Sequence, residues 1–168
     1  MRWLSSLCRE KGENNMKKTM TNGEVYTIAQ VLFGNEDHKG LIGKKNLKTR
    51  MAVRQALKFN CKSIENASKM IGEMINEVIS ELFDEFKEQD KTVEDNEGIK
   101  IKSEFISEFQ MVQQEKLNEL SAQKNEIDLY MIPESEFIAY GTQNDGELTD
   151  AELDVLEIFV EKPEEKTE

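Results

Sequence analysis

Carboxylates spaced for one helix face are the residues of this sequence whose types and positions could do chemistry. Glu73, Glu77 and Glu81 recur at i, i+4 and i+8, so a helix would align them in one row. Carboxylate di-metal sites in helical bundles use a Glu-x-x-His motif, which this sequence lacks. We therefore interpret the row as an acidic face for solvent or a partner, extended by Asp84 and Glu85.

Basic side chains precede the acidic row on the same predicted helix. Arg54, Lys58 and Lys62 also lie at i, i+4 and i+8 and form one ridge, to which Lys48 is added. Such a ridge could contact phosphates or an acidic protein surface, although a solvated face is the simpler interpretation. Few aromatic residues interleave it, so a stacking platform for single strands is not supported. We do not expect direct binding of nucleic acid.

The other chemistry-bearing residues do not form an enzyme motif. His38 is the single histidine, and Cys61 lies on an apolar helix face without a histidine partner. The stretch 40–45 has the wrong glycine spacing for a phosphate-binding loop. The acidic turns at Gly98 and Gly146 lack a side-chain oxygen at the first calcium-ligand position. We expect no catalytic residue, no cofactor and no metal site.

One long helix carries both rows and organises the chain. From Leu57 to Leu82, apolar and small residues recur in steps of 4 and 3, a heptad seam typical of helix–helix packing. We place this helix at about 46–88 and expect a helix at 104–122 to return antiparallel and cover the seam. The side chains expected in that contact are Phe105, Phe109 and Val112 on one helix and Ile71, Ile75 and Val78 on the other.

Shorter elements flank the long helix. Capping boxes at 21–24 and 149–152 begin a first helix over about 21–33 and a final helix. A hairpin is expected around 95–98, and alternation at 127–131 predicts a strand that could pair with it. The fold class is therefore mainly α (α+β), with the long helix in an antiparallel helical hairpin, flanking helices and a small antiparallel β element.

Length and composition indicate a single helical domain over 16–160, followed by a disordered acidic tail at 161–168. The 168 residues are 38% hydrophobic and 33% charged, which suits one domain with its own core. No apolar run reaches the roughly 20 residues that a membrane span needs. Cys8 and Cys61 give no disulfide framework, which favours a reducing cytoplasm.

Residues 1–15 differ in character from the rest of the chain. Back-translation of 11–15 allows a purine-rich bacterial ribosome-binding site just ahead of the Met16 codon. We therefore expect residues 1–15 to be a non-native leader or a disordered tail, with Met16 as the biological start. A chain that begins at Met16 should then keep the stability of the full chain.

Charge is divided unevenly along the sequence. The net charge is −12, but residues 16–69 hold 11 Lys and Arg against 4 acids, whereas residues 70–168 hold 8 against 28. Such asymmetry indicates a charged partner. The alternative is that the basic start docks on the acidic remainder of the same molecule, since both signs usually intermingle on a folded surface.

Several segments together indicate a family. They are the opening 21–24, the long charged helix, the acidic turn 94–98, the strand 126–133 and the closing 148–153. Their order resembles an uncharacterised family of small proteins from phages and prophages of Gram-positive bacteria. That family has no assigned active site, so the resemblance implies a phage context and the cytoplasm of a bacterial host, and no residue role.

Contact with another protein is the function that these observations favour. The first hypothesis is a non-enzymatic phage protein that binds a host or phage protein, with Phe137 and Tyr140 as exposed apolar contacts. The first alternative is an acidic mimic of nucleic acid that inhibits a host defence nuclease or another basic nucleic-acid-binding protein. The second alternative is a coiled-coil scaffold or assembly factor, for which a homodimer stays open. No membrane association is expected.

Overall fold

A long helix and four shorter ones account for most of the residues that the computed structural model describes, 15–162. In chain order the elements are β1 (Asn15–Thr21), α1 (Asn22–Phe33), α2 (Met51–Glu88), β2 (Thr92–Asp95), β3 (Gly98–Ile101), α3 (Ile106–Ala122), β4 (Lys124–Tyr130), α4 (Glu134–Gln143) and α5 (Asp150–Ile158). The mainly helical class with a small antiparallel β element is confirmed. Within 15–162 we find no helix with the length and apolarity to cross a membrane. The predictions for 1–14 and 163–168 lie outside the described residues.

The long helix begins at Met51 rather than near residue 46. The preceding chain is held in a non-helical path because Lys48 exchanges backbone hydrogen bonds with the buried side chain of Asn144. The Lys48 N–H donates to Asn144 Oδ1 at 2.7 Å, and Asn144 Nδ2 donates to the Lys48 carbonyl at 2.9 Å. The helix still has 38 residues, so at 1.5 Å per residue it is about 57 Å long.

The predicted strand at 127–131 exists as β4, but its predicted partner is wrong. It pairs antiparallel with β1, in a register that sets Lys18 opposite Ile127 and Met16 opposite Leu129. The hairpin strands β2 and β3 pair only with each other among the described residues. The strand β1 was not predicted from the sequence, because Met20 is its one buried side chain and the strand shows no apolar alternation.

The main core lies between α1, the first half of α2, the β1–β4 ribbon and the last two helices. Fully buried members include Leu32, Ile64, Leu129, Leu156 and Phe159. A hydrogen bond joins the segment after β4 to the end of α5, since the Ile132 N–H donates to the Phe159 carbonyl at 2.6 Å. Burial of apolar surface between these elements drives folding and stabilises the folded state by about 25 cal/mol per Å².

A smaller aromatic cluster joins α3 to the far end of α2. The Phe109 ring lies 5.2 Å from the Phe86 ring and 6.3 Å from the Phe83 ring, both edge-on. Ile71 and Ile75 instead line a cavity of about 220 Å³ together with Leu117 and Leu120 of α3. Leu117 and Leu120 thus lie beside these isoleucines, whose contact with Phe105, Phe109 and Val112 stays a prediction.

Candidate interaction surfaces

The predicted acidic row lies on the second half of α2 and faces solvent. We call Glu73, Glu77, Glu81, Asp84 and Glu85 the acidic face; all five side chains are exposed. Glu85 forms an ion pair with Lys116, whose Nζ lies 3.2 Å from the carboxylate. The other four have no ion pair within 4 Å among residues 15–162. Four of the five carboxylates of the face therefore have no partner cation in the described chain.

The acidic face belongs to a longer acidic segment, residues 70–122, which has 14 acids and 5 basic residues. Four of the five lysines form ion pairs with acids of the same segment. These pairs are Lys91 with Glu108, Lys100 with Asp95 and Glu97, Lys102 with Asp90, and Lys116 with Glu85. Local ion pairs thus involve four of the five lysines of the segment, and most of its remaining carboxylates face solvent.

Helix stability does not explain where these charges lie on α2. Acids near a helix N-terminus and bases near its C-terminus complement the macrodipole. On α2 the first turn has no acid and contains Arg54, whereas Glu85 and Glu88 lie in the last turn beside Lys87. The charge order therefore gives the helix ends little macrodipole stabilisation.

The basic ridge faces solvent as well. Arg54, Lys58 and Lys62 are exposed and form no ion pair within 4 Å among the described residues. Lys48 has an exposed side chain, and its backbone is hydrogen-bonded to the side chain of Asn144. The ridge therefore forms no ion pair with the acids of residues 15–162.

Two basic residues ahead of α2 do dock on acids of the same molecule. Lys44 Nζ lies 2.6 Å from Oε2 of Glu152, a buried carboxylate of α5. Arg50 donates from Nε and Nη2 to the two oxygens of Glu136, at 2.7 and 3.0 Å. The hydrogen bond from Arg50 lowers the pKa of Glu136. The intramolecular explanation of the charge asymmetry thus applies to Lys44 and Arg50.

The predicted aromatic contacts do not form an exposed patch. Tyr140 is 3% exposed and belongs to the main core, so its predicted exposure is wrong. Phe137 is half-buried against the same core. The reason is α4, which the sequence did not predict and which turns both rings inward one helical turn apart. Burial, followed by the charge of Glu152, raises the pKa of the Tyr140 phenol.

The one described thiol is poorly suited to nucleophilic chemistry. Burial, with a smaller contribution from Glu65, raises the pKa of Cys61 from an ordinary 9.0 to about 11. A nucleophilic cysteine needs a thiolate, which this environment disfavours. His38 is exposed in its loop, and within residues 15–162 no three His, Cys, Asp or Glu side chains come together to hold a metal ion.

The raised pKa predicts slow alkylation of Cys61. In a Cys8→Ser variant, reaction with iodoacetamide at pH 8 should be about 100-fold slower than that of a free cysteine, since two pKa units remove about 99% of the remaining thiolate. The same protein unfolded in urea, followed by mass spectrometry, is the control. Equal rates in the folded and unfolded protein would contradict the half-buried position of the thiol.

No family model, characterised protein or solved structure matches this chain. The phage and prophage resemblance therefore stays a prediction, as do the partner and the cellular setting that it implies. Within residues 15–162, the acidic face and the basic ridge are surfaces that carry exposed, largely unpaired charge.

Proposed function

We propose that this chain is a non-enzymatic binding protein that acts through contact with another protein, with the acidic segment as its contact surface. The observation that carries the proposal is the acidic face, whose carboxylates are exposed and largely unpaired. A protein partner with a basic surface would neutralise them. The proposed setting is the cytoplasm of a bacterial host, in a phage context.

The proposed contact element is an antiparallel hairpin of α2 and α3. Three observations support it: the packing of Phe109 on Phe83 and Phe86, the Lys116–Glu85 ion pair, and Lys91 Nζ at 4.9 Å from the centre of the Phe86 ring. A paired helix holds its side chains at fixed spacing. Successive carboxylates at i and i+4 would then lie about 6 Å apart along the axis.

Exposed apolar side chains in the same segment favour a protein partner over a purely electrostatic one. Met111 is 70% exposed, Met70 63%, Val93 48% and Ile106 43%. Protein interfaces combine apolar contacts at the centre with charged residues at the rim. The acidic segment offers both kinds of residue, whereas Tyr140 is withdrawn into the core.

The nucleic-acid mimic is the second candidate, and the row Glu73, Glu77 and Glu81 favours it. These carboxylates present a regular line of negative charge, as a phosphate backbone does, so the partner would be a basic nucleic-acid-binding protein such as a defence nuclease. The scaffold alternative has less support, because the seam residues Ile64 and Ile71 are already buried in this chain's own core.

Charge reversal on α2 tests the proposed contact surface. In affinity capture from the host, the triple variant Glu73→Lys, Glu77→Lys and Glu81→Lys should lose a partner that the wild type retains, with affinity falling at least tenfold. The matched control reverses Arg54, Lys58 and Lys62 to Glu and should retain the partner. All six side chains are exposed, so both variants should unfold at wild-type temperature. Equal retention by both variants would place the contact elsewhere.

Salt separates the two candidates once a partner is captured. A mimic should release its partner steeply between low and high salt, because exposed charges are screened beyond about 8 Å at physiological ionic strength. A mixed interface should persist in high salt and weaken instead when Met111 is replaced by Glu. A partner that stays bound in 1 M salt contradicts the mimic, whereas complete release contradicts a mixed interface.

A further inference from the structure

One edge of the β1–β4 ribbon is closed at one end by a side chain. Asn60 of α2 is fully buried, and its amide bonds both backbone groups of Tyr130: the Tyr130 N–H donates to Asn60 Oδ1 at 2.7 Å, and Asn60 Nδ2 donates to the Tyr130 carbonyl at 3.0 Å. Both backbone groups of Tyr130 therefore point away from β1 and toward α2. Asn60 occupies the place that a neighbouring strand would take.

The same edge is open two and four residues earlier. In an antiparallel pair, alternate residues direct both backbone groups toward the partner strand or away from it. Since Tyr130 points away from β1, Asp128 and Glu126 do so too, and Ile127 and Leu129 bond β1. Among residues 15–162 no hydrogen bond reaches the outward N–H and C=O groups of Asp128 and Glu126. Four backbone groups are thus available along this edge.

A groove with apolar side chains runs beside those four groups. It has a volume of about 330 Å³ and lies between α2 and residues 125–128 of β4. Its α2 wall includes Ala67, Met70 and Met74, and Met70 is 63% exposed. Unbranched methionine side chains adapt to different apolar partners. The groove therefore adjoins a row of hydrogen-bonding groups and offers an apolar wall to whatever pairs with them.

We propose that this edge binds an extended segment of another protein as a third strand. Added strands gain affinity from main-chain hydrogen bonds and specificity from alternate side chains. One set would face the groove and should be apolar. The other set would lie beside Glu126 and Asp128, both exposed on the outer face of β4, and should be basic. The expected ligand is an extended segment with alternating apolar and basic residues.

A second copy of this chain is a poorer occupant of the edge. Antiparallel pairing of β4 with β4 of another copy, centred on the open edge, would set Glu126 or Asp128 of one copy opposite an acid of the other. Like charges directly opposite each other destabilise a strand pair. On the β1 side, these acids have a basic neighbour, since Lys17 lies opposite Asp128 and 3.9 Å from Glu126. On the open side, no basic side chain of residues 15–162 forms an ion pair with either acid. Charge complementarity thus selects a basic strand.

Amide hydrogen exchange with a synthetic peptide tests the proposal. The probe is a ten-residue peptide of alternating Lys and Val, and the control peptide differs from it by Pro at the two central positions, which removes N–H donors. In the free protein, the amides of Glu126 and Asp128 should exchange faster than those of Ile127 and Leu129. Saturating probe should slow exchange at Glu126 and Asp128 at least tenfold, and the proline peptide should not.

Two exposed methionines supply matched variants that should both fold. Met70→Glu places a charge in the groove and should weaken binding of the probe at least tenfold, whereas Met111→Glu on α3 should leave it unchanged. Binding that both variants weaken equally, or that leaves the Glu126 and Asp128 amides unprotected, would assign the peptide to the acidic segment and overturn the proposal. Protection that appears without peptide and grows with protein concentration would assign the edge to a second copy instead.

Discussion

Replacing Ile64 with alanine is expected to lower the free energy of unfolding by about 2–5 kcal/mol. Ile64 is fully buried in the main core, on the half of α2 that packs within the core. The substitution removes three carbon atoms and leaves a cavity that close-packed neighbours cannot fill completely. Urea unfolding followed by circular dichroism at 222 nm measures the loss, and an unchanged m-value would show that the folded state itself is preserved.

Alanine substitutions at two less buried isoleucines serve as comparisons for Ile64→Ala. Ile138 is 60% exposed on α4, so Ile138→Ala should change stability by less than about 0.5 kcal/mol. Ile75 is half-buried beside the cavity at Leu117 and Leu120, so Ile75→Ala should fall between the two. A loss at Ile138 as large as that at Ile64 would contradict the assignment of the core.

Local signals in the sequence predicted the starts of α1 and α5 well. Thr21 accepts from the Glu24 N–H at 3.1 Å and its own N–H donates to Glu24 at 2.7 Å; Thr149 and Glu152 repeat the arrangement at 3.2 and 2.8 Å. Each capping box depends on two residues three positions apart, so the sequence alone is enough to specify it. The acidic turn between β2 and β3 was predictable for the same reason.

Elements that depend on distant residues were not predictable in this way. The strand β1 exists because β4 supplies its partner more than a hundred residues later, and its own side chains show little alternation. The start of α2 is set by Asn144, which binds the backbone of Lys48 from across the fold. No local pattern contains either pairing, because the energy comes from contacts that form only once the chain has folded.

The candidate surfaces also differ in whether local spacing or contacts between distant residues determine them. The acidic face and the basic ridge were predicted correctly as exposed rows, since helical spacing alone sets which residues align. Tyr140 was placed wrongly because its burial depends on how α4 docks. The open edge of β4 was not predicted at all, since it requires both the β1 register and the approach of α2 at Asn60.

Asn60 itself gives the second large effect. Asn60→Leu keeps a similar volume in a fully buried position but removes both hydrogen bonds to the Tyr130 backbone. We expect the free energy of unfolding to fall by about 2–4 kcal/mol, because two buried backbone groups lose this side-chain partner. The control Asn76→Leu, at an exposed position of the same helix, should cost less than about 0.5 kcal/mol. Thermal and urea unfolding of both variants measure the difference. If Asn60→Leu costs no more than Asn76→Leu, the side chain does not close the β4 edge.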